Sequence, residues 1–204
     1  MHRSDSIAIY EAYKRWESLG RKDQETFCRD NFLSSVALRS MGDFRKQIIA
    51  ILNDIGYIQR SVDMNANSGN YKLVKAVLTA GLYPNMAAIQ TPEQKYEQTG
   101  SGSVAVLPKS SEIKFFTKTD GRVFIHPSSL LFKERAYEDK LVMYGNKVNT
   151  SKIFLRDCTV VPTISLLLLG GELELKHEGH TLVIDNLRFR AFPRVTGISL
   201  LTQC

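Results

Sequence analysis

The stretch EIKFFTKTDGRVFIH, residues 112–126, decides how this chain folds. Lys114, Phe116 and Lys118 alternate with Ile113 and Phe115, and after a turn Arg122, Phe124 and His126 alternate with Val123 and Ile125. A period of two places each basic–aromatic–basic triad on one sheet face and the apolar set on the other. The turn Thr119-Asp120-Gly121 settles how the triads relate. A two-residue Asp-Gly loop pairs Thr119 with Arg122 and sends the triads to opposite faces. A three-residue loop with Gly121 left-handed pairs Lys118 with Arg122, Phe116 with Phe124 and Lys114 with His126. The second is preferred, because the first drives charges into the core.

The same alternation recurs at Lys152-Phe154-Arg156, with Ile153 and Leu155 between. Further strands are expected at 86–90, 103–107, 140–144, 151–160, 172–178 and 181–192. Many short strands punctuated by Gly, Pro and Asp indicate a small antiparallel sheet or barrel. The polar stretch 91–102 reads as a mobile insertion, and 146–151 (NKVNTS) as a polar hairpin loop. The run Ile164–Leu169 is far short of the ~20 apolar residues that a spanning helix needs.

Before residue 60 the period is helical. Ile9, Ala12, Tyr13, Trp16 and Leu19 make one stripe, with Ser4 or Asp5 as cap. A short helix covers 22–32. A third starts at Asp43, turns Phe44, Ile48, Ile51, Leu52 and Ile55 inward, and stops at Gly56. The segment 61–70 (SVDMNANSGN) is aperiodic and reads as a linker. One more helix, 71–83, presents Leu73, Val74, Val77, Leu78 and Gly81 on a narrow face. The expectation is an α+β chain: a helical bundle (1–60), a linker (61–70), a small antiparallel β-barrel (71–170) and a C-terminal β extension (171–204).

Composition narrows the function. With 43% hydrophobic and 24% charged residues the chain is globular, and 27 Lys+Arg against 21 Asp+Glu give it a net +6, a bias toward polyanions. Three scattered cysteines, Cys28, Cys158 and Cys204, argue against a disulfide framework and fit a reducing compartment. Acidic residues in the first turns exclude a signal peptide. A soluble protein of the cytoplasm or nucleus, with no membrane partner, is expected.

None of the 13 glycines precedes a lysine, so the Gly-Lys-Ser/Thr phosphate loop is missing from this sequence. No nucleophile elbow, zinc helix or dinucleotide turn appears, so no catalytic residue and no cofactor are assigned to the chain. His177 and His180 flank Glu178-Gly179 with no cysteine or third histidine nearby in sequence, which reads as a solvated hairpin turn rather than a metal site. The triads carry the functional signal: rings for stacking and cations for phosphates make a surface suited to single-stranded nucleic acid. One alternative is that these phenylalanines pack beneath a neighbouring element; another is a protein-interaction module whose exposed rings dock a protein partner. In His126-Pro127-Ser128-Ser129 the histidine and hydroxyls can cap backbone or meet a phosphate.

Taken in order, Ser4–Trp16 (SDSIAIYEAYKRW), Phe27–Leu33 (FCRDNFL), Leu73–Asn85 (LVKAVLTAGLYPN), Asp120–Ser129 (DGRVFIHPSS), Lys147–Cys158 (KVNTSKIFLRDC) and Leu166–Glu172 (LLLLGGE) resemble the C-terminal region of DEAH/RHA-box ATP-dependent RNA helicases. The resemblance implies a ratchet-like helicase-associated part over 1–60 and an OB-fold from about residue 71. It implies partners as well: single-stranded RNA, a RecA-like core that uses ATP and Mg, and in some members an activator with a glycine-rich patch. It adds Lys147, Thr150, Ser151 and Lys152 to the RNA-facing set, beside Ser128 and Ser129. The family's Tyr-His-Glu is here Tyr144-Gly145-Asn146. The missing ATP-binding loop, Asp-Glu-Ala-His box and winged helix imply a C-terminal piece that is inactive as an ATPase alone.

Overall fold

The computed structural model describes residues 3–58, 63–93, 95–99, 102–171, 173–176, 181–184, 187–194 and 197–203. The chain divides into two compact units, Ser6–Asn70 and Met1–Asp5 with Tyr71–Cys204. The pair His177 and His180 and the cysteine Cys204 lie outside the described residues.

The first unit holds α1 (Asp5–Glu17), α2 (Arg21–Asp30) and α3 (Ser35–Asp54). Tyr13 and Trp16 of α1 meet Cys28 of α2 and Leu38 of α3, with Phe27, Leu33 and Met41 closing the cluster. α3 starts eight residues before the expected Asp43, because the Ser34 hydroxyl accepts the Ala37 N–H and satisfies a first-turn donor. The expected inward stripe is corrected too. Phe44, Ile48, Ile51 and Ile55 stand 63, 57, 59 and 68% exposed. Leu38 and Met41 face Tyr13 and Trp16 instead, so the residues four and seven further on from Phe44 fall on another side of the helix.

The second unit opens with α4 (Tyr71–Leu82). Its inner side is centred on buried Thr79 rather than on the expected stripe, since Leu73 and Val77 are 43 and 63% exposed. There follow β1 (Met86–Gln90), the hairpin strands β2 (Lys95–Thr99) and β3 (Gly102–Val106), and then β4 (Lys114–Thr117), β5 (Gly121–Ile125), β6 (Leu141–Met143), β7 (Asn146–Asn149), β8 (Ile153–Arg156) and β9 (Thr159–Val161). The seven strands other than the hairpin form one sheet in the order β7-β8-β5-β4-β1-β6-β9. It curls around Ala87, Ile89, Ile113, Phe115, Val123, Ile125, Val142, Leu155 and Val160. Fully burying aliphatic or aromatic side chains of this kind is worth roughly 1.5–3 kcal/mol each. A second cluster packs Met86, Leu141, Met143 and Val161 on Leu166 of α5 (Thr163–Leu169) and on Ile184. The extension is a four-stranded sheet, β10 (Leu173–Lys176), β11 (Thr181–Ile184), β12 (Leu187–Arg194) and β13 (Gly197–Gln203).

Five expectations change. The expected strand 181–192 is two, β11 and β12, which pair antiparallel with Ile184 opposite Leu187. The barrel is not wholly antiparallel, for β5 and β8 run parallel, Phe124 opposite Phe154 and Ile125 opposite Leu155. The expected strand 151–160 is two, broken where Asp157 takes φ 56°. The insertion holds a hairpin, Tyr96 opposite Ala105 and Glu97 opposite Val104. Four residues of the expected polar loop form β7, Asn146 opposite Arg156 and Asn149 opposite Ile153.

Candidate nucleic-acid interface

The β4–β5 turn decides the face. Phe116 pairs with Arg122 and Thr117 with Gly121, whose φ of 66° supplies the left-handed corner. The register lies two residues from the expected pairing. A shift of two preserves the face, so the triads of β4 and β5 share one. Phe115, Val123 and Ile125 go inward, while Lys114, Lys118 and Arg122 are exposed and Phe116 is 36% exposed.

The parallel pairing of β5 with β8 brings two triads side by side. The Phe124 and Phe154 centroids are 6.1 Å apart at 47°, and the His126 and Phe154 rings lie nearly perpendicular, 6.0 Å apart. The Arg122 guanidinium lies 5.1 Å and the Lys152 ammonium 4.6 Å from the Phe124 centroid. The rings therefore do not simply stand between cations. Both cations lie against Phe124, whose quadrupole attracts them and holds them at the surface. Arg122, Phe124, Lys152 and Phe154 line one open depression of about 450 Å³. Arg156 is exposed at the end of β8, and Phe116 and Lys118 open onto a different cleft.

The loops hold the remaining expected contacts. His126 Nδ1 accepts the Ser128 N–H at 3.1 Å and stands 2.7 Å from the Ser128 hydroxyl. Both contacts keep the ring nitrogen within its own turn, beside Ser128. Ser129 is not on the surface. It is 7% exposed, and its hydroxyl accepts the Leu131 N–H, which caps a short 3₁₀ turn. Thr150 is exposed and spends its hydroxyl on the Lys152 carbonyl, 3.2 Å away, while Ser151 is exposed at the loop tip. Lys147 reaches Asp120 at 2.7 Å. That hydrogen bond holds the Asp120 carboxyl below the usual carboxylate range and the Lys147 ammonium above the usual lysine range.

Two residues escaped the sequence reading. Asp120 accepts from Thr117, Thr119 and Lys147 and ties the β4–β5 turn to β7. Its only sequence signal was its place before Gly121. Asp5, expected as a helix cap, accepts the Leu130 N–H at 2.9 Å and the Cys158 N–H at 2.8 Å. It thereby fixes the turn after His126-Pro127 to the corner between β8 and β9. Cys158 is fully buried, and burial pushes its thiol up, so it is an inert core residue.

Among the described residues, five helices and a curled seven-stranded half-barrel sheet define an α+β protein. Residues 74–173 match the oligonucleotide/oligosaccharide-binding (OB)-fold family. The chain is 37% identical to the putative ATP-dependent RNA helicase DHX57 of Mus musculus, over 82% of this chain and 14% of that protein. It is 31% identical to the ATP-dependent DNA/RNA helicase DHX36 of Homo sapiens, over 90% of this chain and 18% of that one. The DExH-box ATP-dependent RNA helicase DExH1 of Arabidopsis thaliana is 34% identical, over 83% of this chain and 16% of its own length. The chain belongs to the helicase-associated and OB-fold region of the DEAH/DExH-box helicases, and spans under a fifth of the length of these relatives. Among the described residues no helix is long and apolar enough to cross a membrane.

Proposed function

We propose that this chain is the RNA-binding accessory segment of a DEAH/RHA-box helicase, gripping single-stranded RNA while a RecA-like core, supplied with ATP and Mg, does the mechanical work. The observation that supports it is the parallel β5–β8 pairing, which sets Phe124 beside Phe154 with Arg122, Lys152 and His126 around them. The cations meet phosphates and the face of the Phe154 ring stacks a base, each stacked base adding roughly 1–3 kcal/mol. The test is fluorescence anisotropy of labelled oligo(U) with the wild-type chain and with Lys152→Ala/Phe154→Ala. A loss of affinity of at least about tenfold is expected, and equal affinities contradict the proposed face.

A second reading rests on the exposed stripe Phe44, Ile48, Ile51 and Ile55 of α3. Apolar residues four and seven apart on an open helix face are the pattern of a docking surface. In that reading the helical unit engages the rest of a helicase or a glycine-rich-patch activator. Phe44→Ser/Ile51→Ser then weakens capture of a separately produced helicase core and leaves oligo(U) binding unchanged.

A further inference from the structure

Beside the depression on β5 and β8, the barrel unit carries a second concavity of about 700 Å³. Its walls are aromatic and aliphatic: Tyr83, Phe116, Tyr144 and Leu187. Tyr144 is 4% exposed and forms part of the floor, whereas Phe116 is 36% exposed. Asn85, Thr117 and Thr119 also line it, together with Lys118 and Lys147, and no carboxylate is among its described lining residues. Asp120, the acid that Lys147 pairs with, also accepts from Thr117 and Thr119. That engagement fixes Lys147 in place, and an ammonium with three donors keeps two for an incoming anion. The wall opposite is built as firmly. A Cβ on Gly171 would collide with the Tyr83 hydroxyl and ring, so the glycine is what lets that ring sit where it does.

Mostly apolar walls with two lysines and no carboxylate in the lining itself favour a planar, apolar-faced group joined to a negative charge. An apolar peptide gains nothing from the two lysines, and a bare polyanion gains nothing from the rings. A nucleotide uses both. We propose that this cleft receives an unstacked base of the bound single strand, its neighbouring phosphates meeting Lys118 and Lys147. The inference rests on the RNA reading above and adds a base-selective site separate from Phe124 and Phe154. A cleft of this size lies within the range of small-molecule sites and has room for a nucleotide.

The test uses the whole chain, a labelled uridine 12-mer and a 12-mer of the same charge made of abasic ribose-phosphate units. Phe116→Ala and Leu187→Ala are expected to weaken the uridine strand about tenfold while the abasic strand binds as to wild type. Two variants guard against a misfolded one, and far-ultraviolet circular dichroism checks each. If both bind the uridine strand like wild type, the cleft holds no base and the inference falls, leaving the RNA reading intact. An equal loss on both strands also overturns it, since the phosphate contacts have then been weakened rather than a base site. If wild type binds neither strand, the RNA reading itself fails and takes the cleft with it.

Discussion

At Asp120 one carboxylate oxygen takes hydrogen bonds from Lys147 at 2.7 Å, Thr119 at 2.8 Å and Thr117 at 2.9 Å. The Lys147 bond dominates in holding this acid below its ordinary range. An acid depressed on folding stabilises the native state above its unfolded value and loses that contribution as pH falls through its folded one. The lysine, raised by the same bond, keeps its contribution until pH climbs above the ordinary lysine range. Between those limits the pair is intact. Asp120→Asn is therefore expected to lower the melting temperature slightly at pH 7, by the equivalent of about 1 kcal/mol or less for a partly exposed pair. It should also flatten the loss of stability on acidification below pH 4. A variant as acid-sensitive as wild type would show that this carboxylate does not brace the turn. Arg122 and Lys152 were legible as cations on a strand face, because alternation alone fixes the face. Their approach to Phe124 was not, since it depends on β5 meeting β8, which are separated in sequence by two other strands.

Among the elements, those with an apolar face announced themselves. β4 and β5 alternate cleanly between buried and open positions, and β1 has the bounds expected of it, 86–90. β2 and β7 did not, because strands made of Lys, Tyr, Glu, Gln and Asn carry no apolar period and take their form from the partner they pair with. α3 misled for the opposite reason: its strongest apolar stripe is exposed, and the weaker Leu38–Met41 side packs. Periodicity shows that a face exists and leaves open what covers it. The segment Arg3–Asp5 makes a further element that no propensity marked. Asp5 N–H donates to the Cys158 carbonyl at 2.8 Å, the Val160 N–H donates to the Arg3 carbonyl at 3.0 Å, and Ser4 and Thr159 share a hydroxyl hydrogen bond at 2.8 Å. Removing the Asp5 carboxylate orphans two backbone donors. Asp5→Ala is expected to cost about 3 kcal/mol, read as a fall of roughly 6–12 °C in Tm by circular dichroism. A fall under 2 °C would contradict the role given to Asp5.

Taken whole, the chain joins a helical unit to an OB-fold unit, and its net charge of +6 suits a polyanionic partner without naming it. Its sequence lacks the phosphate loop, so ATP hydrolysis by these 204 residues alone is expected at background in a phosphate-release assay with Mg. The account stands on whether the β5–β8 face carries phosphate contacts, and salt dependence reads that directly. Each phosphate neutralised on a single strand contributes about 0.7 to the slope of log affinity against log salt. Oligo(U) binding to the wild-type chain and to Arg122→Ala/Lys152→Ala, measured across a salt series, should differ in slope by about 1.4, with the variant shallower. Parallel lines for the two proteins would mean that neither cation touches RNA and would contradict the account.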